Sequence, residues 1–397
     1  MAPSNHTPLD AISQRYIELA FDIEAHVEGF VDAYFGPPEL HRRPEARPPA
    51  QIAADLVDLA AVVRASDYPA TRRGYLTAQL RGMEATARRL AGEPLSYADE
   101  VRACFDIEPV YTPEARFEEA NATLEELLPG PGPLAERLAA WRRGFEVPPA
   151  VARRMIDTIA AEARRRTAAL VALPEGEEVR FELVSDKPWS GYNWYLGEAR
   201  SLVEINTDLP IKANALLDLV CHEAYPGHHT EHALKEQRLY RERGWGEQAI
   251  QLINTPECVI AEGIATLAAD MIFGPEAHTW AATHLYPLGG IAGDPEREAR
   301  IAAAQWSLRA LSANAATLLH ARGADPEEVV AYIMRYGLRT EREARQSLRF
   351  ISTPLWRTYA FTYFVGRQLI DAWLARGDRN ARFAQLLTEQ VYPSMLG

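Results

Sequence analysis

Residues 207–232 read TDLPIKANALLDLVCHEAYPGHHTEH, and the patterning of the chain changes across this stretch. Just upstream, VRFELV at 179–184 and RSLVEIN at 200–206 alternate branched or aromatic residues with polar ones, which predicts two strands. Thr207-Asp208-Leu209-Pro210 then supplies a capping residue and a proline, the usual opening of a helix. Leu216, Leu217, Leu219 and Val220 give that helix an apolar face. Pro226 removes a backbone donor and Gly227 frees the dihedrals, so the helix breaks or widens there. Beyond it the spacing stays helical to the end, with interruptions near 243–246, 273–275, 287–290 and 320–325.

Upstream of the strands the chain also reads as helices. An amphipathic segment at 10–35 ends at Gly36-Pro37-Pro38, and a proline-rich turn at 44–49 leads to helices at 51–67 and 76–92. Another, at 112–128, stops at Pro129-Gly130-Pro131-Gly132-Pro133. Helix resumes near 134, and a last one spans 148–170. Between the strands, Trp189 to Tyr195 reads as an aromatic loop. The expected fold is mainly α, elongated, with a small β element ahead of the histidine-bearing helix. An N-terminal helical region, 1–170, and a C-terminal region, 171–397, are expected to form one continuous unit.

The 397 residues carry 42 basic and 55 acidic side chains, a formal charge of −13. A nucleic-acid surface needs a concentrated basic face, and this balance runs the other way. Neither an N-terminal leader pattern nor a membrane-length apolar run is apparent. Three widely spaced cysteines, Cys104, Cys221 and Cys258, do not form a disulfide framework. A cytoplasmic protein without membrane partners is expected, and a homo-oligomer is compatible with the sequence.

Four of the ten histidines fall between 222 and 232, a clustering that core packing does not explain. His222-Glu223 has the order of a metallopeptidase helix, a ligating imidazole followed by the carboxylate that serves as general base. The second histidine of that motif would stand four residues on, but position 226 is proline. In a straight helix His228 would lie about 9 Å along the axis from His222, so a bend is required. His228 is the preferred second ligand and His229 the alternative; otherwise His229 serves substrate binding. His232 reads as a surface or capping residue. The third ligand is Glu262, in the middle of an apolar helix opened by Thr255-Pro256, where an unpartnered acid would be costly. Two histidines, a carboxylate and an open position suit one catalytic zinc ion per chain. Asp270 is a candidate partner for a ligating histidine.

HEAYPGHH, AEGIATLAAD and RTYAFTYFVGRQLI together resemble the blocks of domain-of-unknown-function family 885, over most of the chain. That family is considered similar in fold to the carboxypeptidase Taq-like gluzincin metallopeptidases. The resemblance implies a peptidase with His222 as first ligand, Glu223 as base and Glu262 as third ligand.

The expected reaction is zinc-dependent hydrolysis of a peptide or small amide, with an exopeptidase of carboxypeptidase or dipeptidase type preferred. Tyr363, or Tyr359 four residues earlier, would donate to the tetrahedral intermediate. Arg357 and Arg367 would receive a substrate carboxylate. The 201–206 strand could pair with substrate backbone, walled by Tyr192 and its aromatic neighbours. Two rival readings are metal-dependent hydrolysis of a non-peptide amide and an inactive, structural metal-binding protein.

Overall fold

The computed structural model describes residues 9–41, 45–187, 189 and 191–397; Pro44 of the proline-rich turn and residues 1–8 lie outside these. The chain is mainly helical. The first helix, α1 (Ala11–Glu24), is capped by the Asp10 carboxylate, which accepts from the Ser13 amide at 2.8 Å. It is shorter than its apolar period suggests. The Glu24 side chain reaches forward and accepts from the amides of Gly29 (3.1 Å) and Val31 (2.8 Å). That turn uses Gly29 at φ +85° and releases β1 (Val31–Tyr34). The expected helix over 10–35 is therefore a helix, a turn and a strand.

The N-terminal half continues with α2 (Pro49–Ala65), α3 (Ala70–Leu90), α4 (Tyr97–Phe105), α5 (Glu114–Leu127), α6 (Leu134–Arg143), the short β2 (Glu146–Val147) and α7 (Pro149–Leu170). The sequence reading omitted α4, which is capped by Ser96 on the Asp99 amide at 3.1 Å. Three strands follow: β3 (Glu178–Val184), β4 (Gly191–Gly197) and β5 (Arg200–Asn206). Their order is β3-β5-β4, with β5 parallel to β3 and antiparallel to β4. Two expectations are corrected here. The aromatic loop is largely the strand β4, since its bulky side chains pair across β5. And β5 is the central strand, with both edges occupied, so it has none to offer a peptide.

A two-residue strand, β6 (Ile211–Lys212), pairs with β2 before α8 (Ala213–Glu223) begins. The Thr207–Pro210 segment is not its cap: Asp208 accepts from the Asp186 amide at 2.9 Å, and Lys212 precedes the helix without a capping bond. Next come α9 (His228–Lys235), β7 (Ile250–Leu252), which pairs with β1, and α10 (Pro256–Ile272). The remaining helices are α11 (Ala277–His284), α12 (Tyr286–Gly289), α13 (Pro295–Ser307), α14 (Leu311–His320), α15 (Pro326–Gly337), α16 (Glu341–Ser352), α17 (Ala360–Leu374), α18 (Arg379–Thr388) and α19 (Pro393–Leu396).

Helix α10 is the axis of the packing. Its Ile260, Ile264, Leu267 and Ala268 are buried, and it touches α8, α9 and α17. The approach to α17 is close because glycines meet: a Cβ on Gly366 would lie 2.4 Å from the Val259 carbonyl oxygen, and one on Gly263 would lie 2.8 Å from Gly366. The hydrophobic clusters cross the 170/171 boundary. One joins Phe105 and Phe117 to Val259 and Phe361, and another joins Tyr16 and Leu76 to Ile250 and Leu252. Among the described residues, no single helix is long and apolar enough to cross a membrane.

Candidate metal centre

Helix α8 ends at Glu223 and α9 begins at His228, with Ala224–Gly227 making the corner and Tyr225–Pro226 in cis. Gly227 is what lets the chain fold so tightly. Its amide donates to the Cys221 carbonyl at 3.0 Å, and a Cβ there would lie 1.9 Å from the His222 carbonyl oxygen and 2.5 Å from that of Cys221. The corner is then locked as Thr230 donates to the Ala224 carbonyl from both its amide (3.2 Å) and its hydroxyl (3.0 Å). This is the bend that the spacing demands. It returns His228 to His222, with ring centroids 4.8 Å apart and the rings perpendicular.

Glu262 enters from α10. His222, His228 and Glu262 can each offer one ligand atom, all within 4.8 Å of one another, and His222 Nε2 stands 3.5 Å from Glu262 Oε2. The two Glu262 oxygens differ sharply. Oε1 accepts from the Tyr359 phenol at 2.9 Å, whereas Oε2 is buried with no hydrogen-bond partner. A buried carboxylate oxygen that has no hydrogen-bond partner and lies 3.5 Å from an imidazole nitrogen fits the role of a metal ligand. Two imidazoles and one carboxylate, with a cavity beside them, fit a divalent metal ion.

The environment matches that reading. Burial pushes the Glu262 carboxyl up to about 8 against the pull of the Tyr359 bond, and burial pushes the His228 imidazole down to about 4. His222 is likewise held well below its ordinary range, by burial and then by His228. Three donors that resist charge at one spot are stabilised by a cation placed among them. Glu223 lines the same cavity. Its carboxyl is also raised to about 8, by burial first and then by the charges of Glu262 and Asp32. Its backbone carbonyl accepts from Asn193 of β4 at 2.6 Å, which fixes the end of α8 against the sheet.

The other predicted site residues divide. Tyr363, on α17, and Tyr192, on β4, line the cavity with the metal cluster. Tyr359 lines it too, but stands just ahead of α17 with its phenol on Glu262. His229 is not in the cluster. It is fully buried, with Nδ1 bonded to Ser201 (2.9 Å) and Nε2 to Glu177 (3.0 Å), so neither ring nitrogen remains for a metal or a substrate. Its neighbour Tyr225 donates to the same Glu177 carboxylate at 2.5 Å. Arg357 and Arg367 are corrected as well. Arg357 approaches Glu100 at 3.4 Å and lies over Tyr97. Arg367 donates to the Thr266 carbonyl at 2.8 Å, pairs with Asp270 and stacks on Trp306. Neither lines the cavity, and Asp270 serves Arg367 rather than a ligating histidine.

The sequence reading missed several lining residues. Asp32, on β1, accepts from the Tyr192 phenol. His232 faces the cavity instead of the surface, bonded through Nδ1 to Gln251 at 2.6 Å and stacked 6.1 Å from His228. Glu257 of α10 also lines it. The signal for Asp32 was Gly29 followed by the alternation Val31-Asp32-Ala33-Tyr34, which a continuous helical reading passes over.

Several solved structures resemble the chain, among them two provisionally described as lipoproteins. One is a protein from Colwellia psychrerythraea provisionally described as a lipoprotein, at TM-score 0.54 and 17% identity, over 88% of this chain and 68% of that one. The other, provisionally described in the same way and of unknown function, is from Shewanella oneidensis, at TM-score 0.53 and 13% identity, over 88% and 71%. The likeness is one of fold. No family model and no curated protein matches the chain.

Proposed function

We propose that the protein is a zinc-dependent hydrolase of peptides or small amides, as the resemblance to domain-of-unknown-function family 885 and the gluzincins implies. The observation that carries this reading is the shared cavity: His222, His228 and Glu262 converge there, and Glu223, which is not one of the three, presents its carboxylate beside them. His222, His228 and Glu262 would hold the ion. Zinc bound there supplies Lewis acidity, polarising a carbonyl and easing deprotonation of a water molecule.

The chain's own residues supply the rest. Glu223 takes the proton from the attacking water and delivers it to the leaving amine, a task suited to a carboxyl raised toward neutrality. Tyr359 orients Glu262 by its 2.9 Å bond. Tyr363 lines the cavity four residues on, and its phenol would donate to the oxyanion of the tetrahedral intermediate. Gly191, Tyr192 and Asn193 of β4 also line the cavity. A structural metal site needs no adjacent general base, which favours the enzyme over the inert alternative.

The test is hydrolysis of a panel of di- and tripeptides and non-peptide amides by zinc-loaded protein, wild type against Glu223→Gln. The variant should retain its metal and lose a factor of about 10² to 10⁴ in kcat. Hydrolysis of non-peptide amides alone would favour the rival hydrolase reading. Equal activity in the two proteins would remove Glu223 from the mechanism.

A further inference from the structure

The charge of the cavity is one-sided. Asp32, Glu223, Glu257 and Glu262 line it, and no lysine or arginine does among the described residues. Two of these carboxylates belong to the metal chemistry proposed above. Glu257 has a cation close by, the Lys235 ammonium at 3.7 Å, which also holds Glu231 at 2.6 Å. Asp32 is different. Its neighbour is the Tyr192 phenol, a single neutral donor, so one carboxylate oxygen is fixed while the charge itself is left without a counter-ion. Beside it on the same wall, Asn193 has a buried Oδ1 with no hydrogen-bond partner. The unpartnered Oε2 of Glu262, a residue only 6% exposed, belongs to the metal cluster on which this inference rests.

An uncompensated carboxylate in a confined space is costly, and a ligand that brings a positive charge offsets that cost. A ligand carboxylate placed beside Asp32 would be repelled: Arg357 and Arg367 face elsewhere, and the charge of Arg309 bears on Glu262 and Tyr363 rather than on Asp32. We infer that Asp32 anchors a protonated amine of the substrate, so that the site selects peptides or amides with a free amino group near the scissile bond. This rests on the metallohydrolase reading and turns it from carboxypeptidase toward aminopeptidase or dipeptidase action. Asp32 would supply the charged acceptor, while Tyr192 holds the carboxylate in position.

The experiment is calorimetric titration of zinc-loaded protein, its metal content measured first, with alanine hydroxamate and with N-acetyl-alanine hydroxamate. These share a metal-binding group and differ in the charge of the amine. Wild type should bind the free amine more tightly by roughly thirtyfold or more, the factor expected for one desolvated charge pair. Asp32→Asn keeps an oxygen acceptor for Tyr192 and should bring the two affinities close together. Equal or tighter binding of the acetylated compound by wild type would overturn the inference, as would a preference that survives in Asp32→Asn. A wild type that takes up zinc yet binds neither compound overturns it too. Failure to take up zinc at all would instead bring down the metallohydrolase reading, and the inference with it.

Discussion

Glu262 shows how one side chain can be prepared for a metal. It rises from an apolar helix, uses one oxygen to accept from Tyr359 at 2.9 Å, and leaves the other bare 3.5 Å from His222. The phenol fixes the carboxylate's rotamer, so Tyr359→Phe should keep the fold and weaken zinc binding about 10- to 100-fold, as losing such an outer partner generally does. Competition with a chromophoric chelator would measure this, and an unchanged affinity would show that packing alone orients Glu262. The raised carboxyl gives a second expectation. With the Glu262 pKa near 8 in the metal-free state, the group is protonated at pH 7 and must lose that proton to ligate. Affinity should therefore climb with pH toward pH 8, approaching tenfold per unit below it, and level off above. Calorimetry at pH 7 in two buffers of different ionisation enthalpy should find a proton released on zinc binding. No proton release would mean that Glu262 is already ionised.

At the scale of elements, the corner between α8 and α9 does the work that a continuous helix does in the regular motif. Pro226-Gly227 announced a break, and the break is what makes His228, six residues from His222, a neighbour of it. Gly227 admits no substitute without movement of backbone, because the obstructing atoms are the carbonyl oxygens of Cys221 and His222. Gly227→Ala should lower stability by about 1–3 kcal/mol or more, read from the denaturation midpoint, and should reduce bound metal as well. A variant with unchanged midpoint and metal content would refute this account of the corner. The same corner explains what was legible in the sequence. His222, Glu223 and Glu262 announce themselves by residue type and apolar surroundings, which are local properties. The partners of His229 lie on a distant strand, Ser201, and on the segment before β3, Glu177, and no local pattern shows them. Asp32 escaped for another reason. Its strand is short and follows a strongly periodic helix, and what ends that helix is the Glu24 side chain reaching forward to two amides. Arg357 and Arg367 are near the tyrosines in sequence, but Arg357 lies in the turn ahead of α17 and approaches Glu100, while Arg367 leaves α17 toward Asp270.

Across the whole molecule, the helical architecture and the small sheet ahead of α8 follow from the two periodicities of the sequence. The assembly of the cavity does not. Its walls come from β1, near the N-terminus, from β4, from α8 to α10, and from the start of α17, drawn together around α10 by the glycine contact with α17 and by the pairing of β1 with β7. The central claim is that this assembly holds one zinc ion through His222, His228 and Glu262. Elemental analysis of purified protein tests it most directly, comparing wild type with His222→Ala, His228→Ala, Glu262→Ala and His229→Ala after equal exposure to zinc. The account predicts about one zinc per chain in wild type and in any folded His229→Ala protein, with loss in the other three. No stoichiometric metal in wild type, or loss confined to His229→Ala, would contradict it.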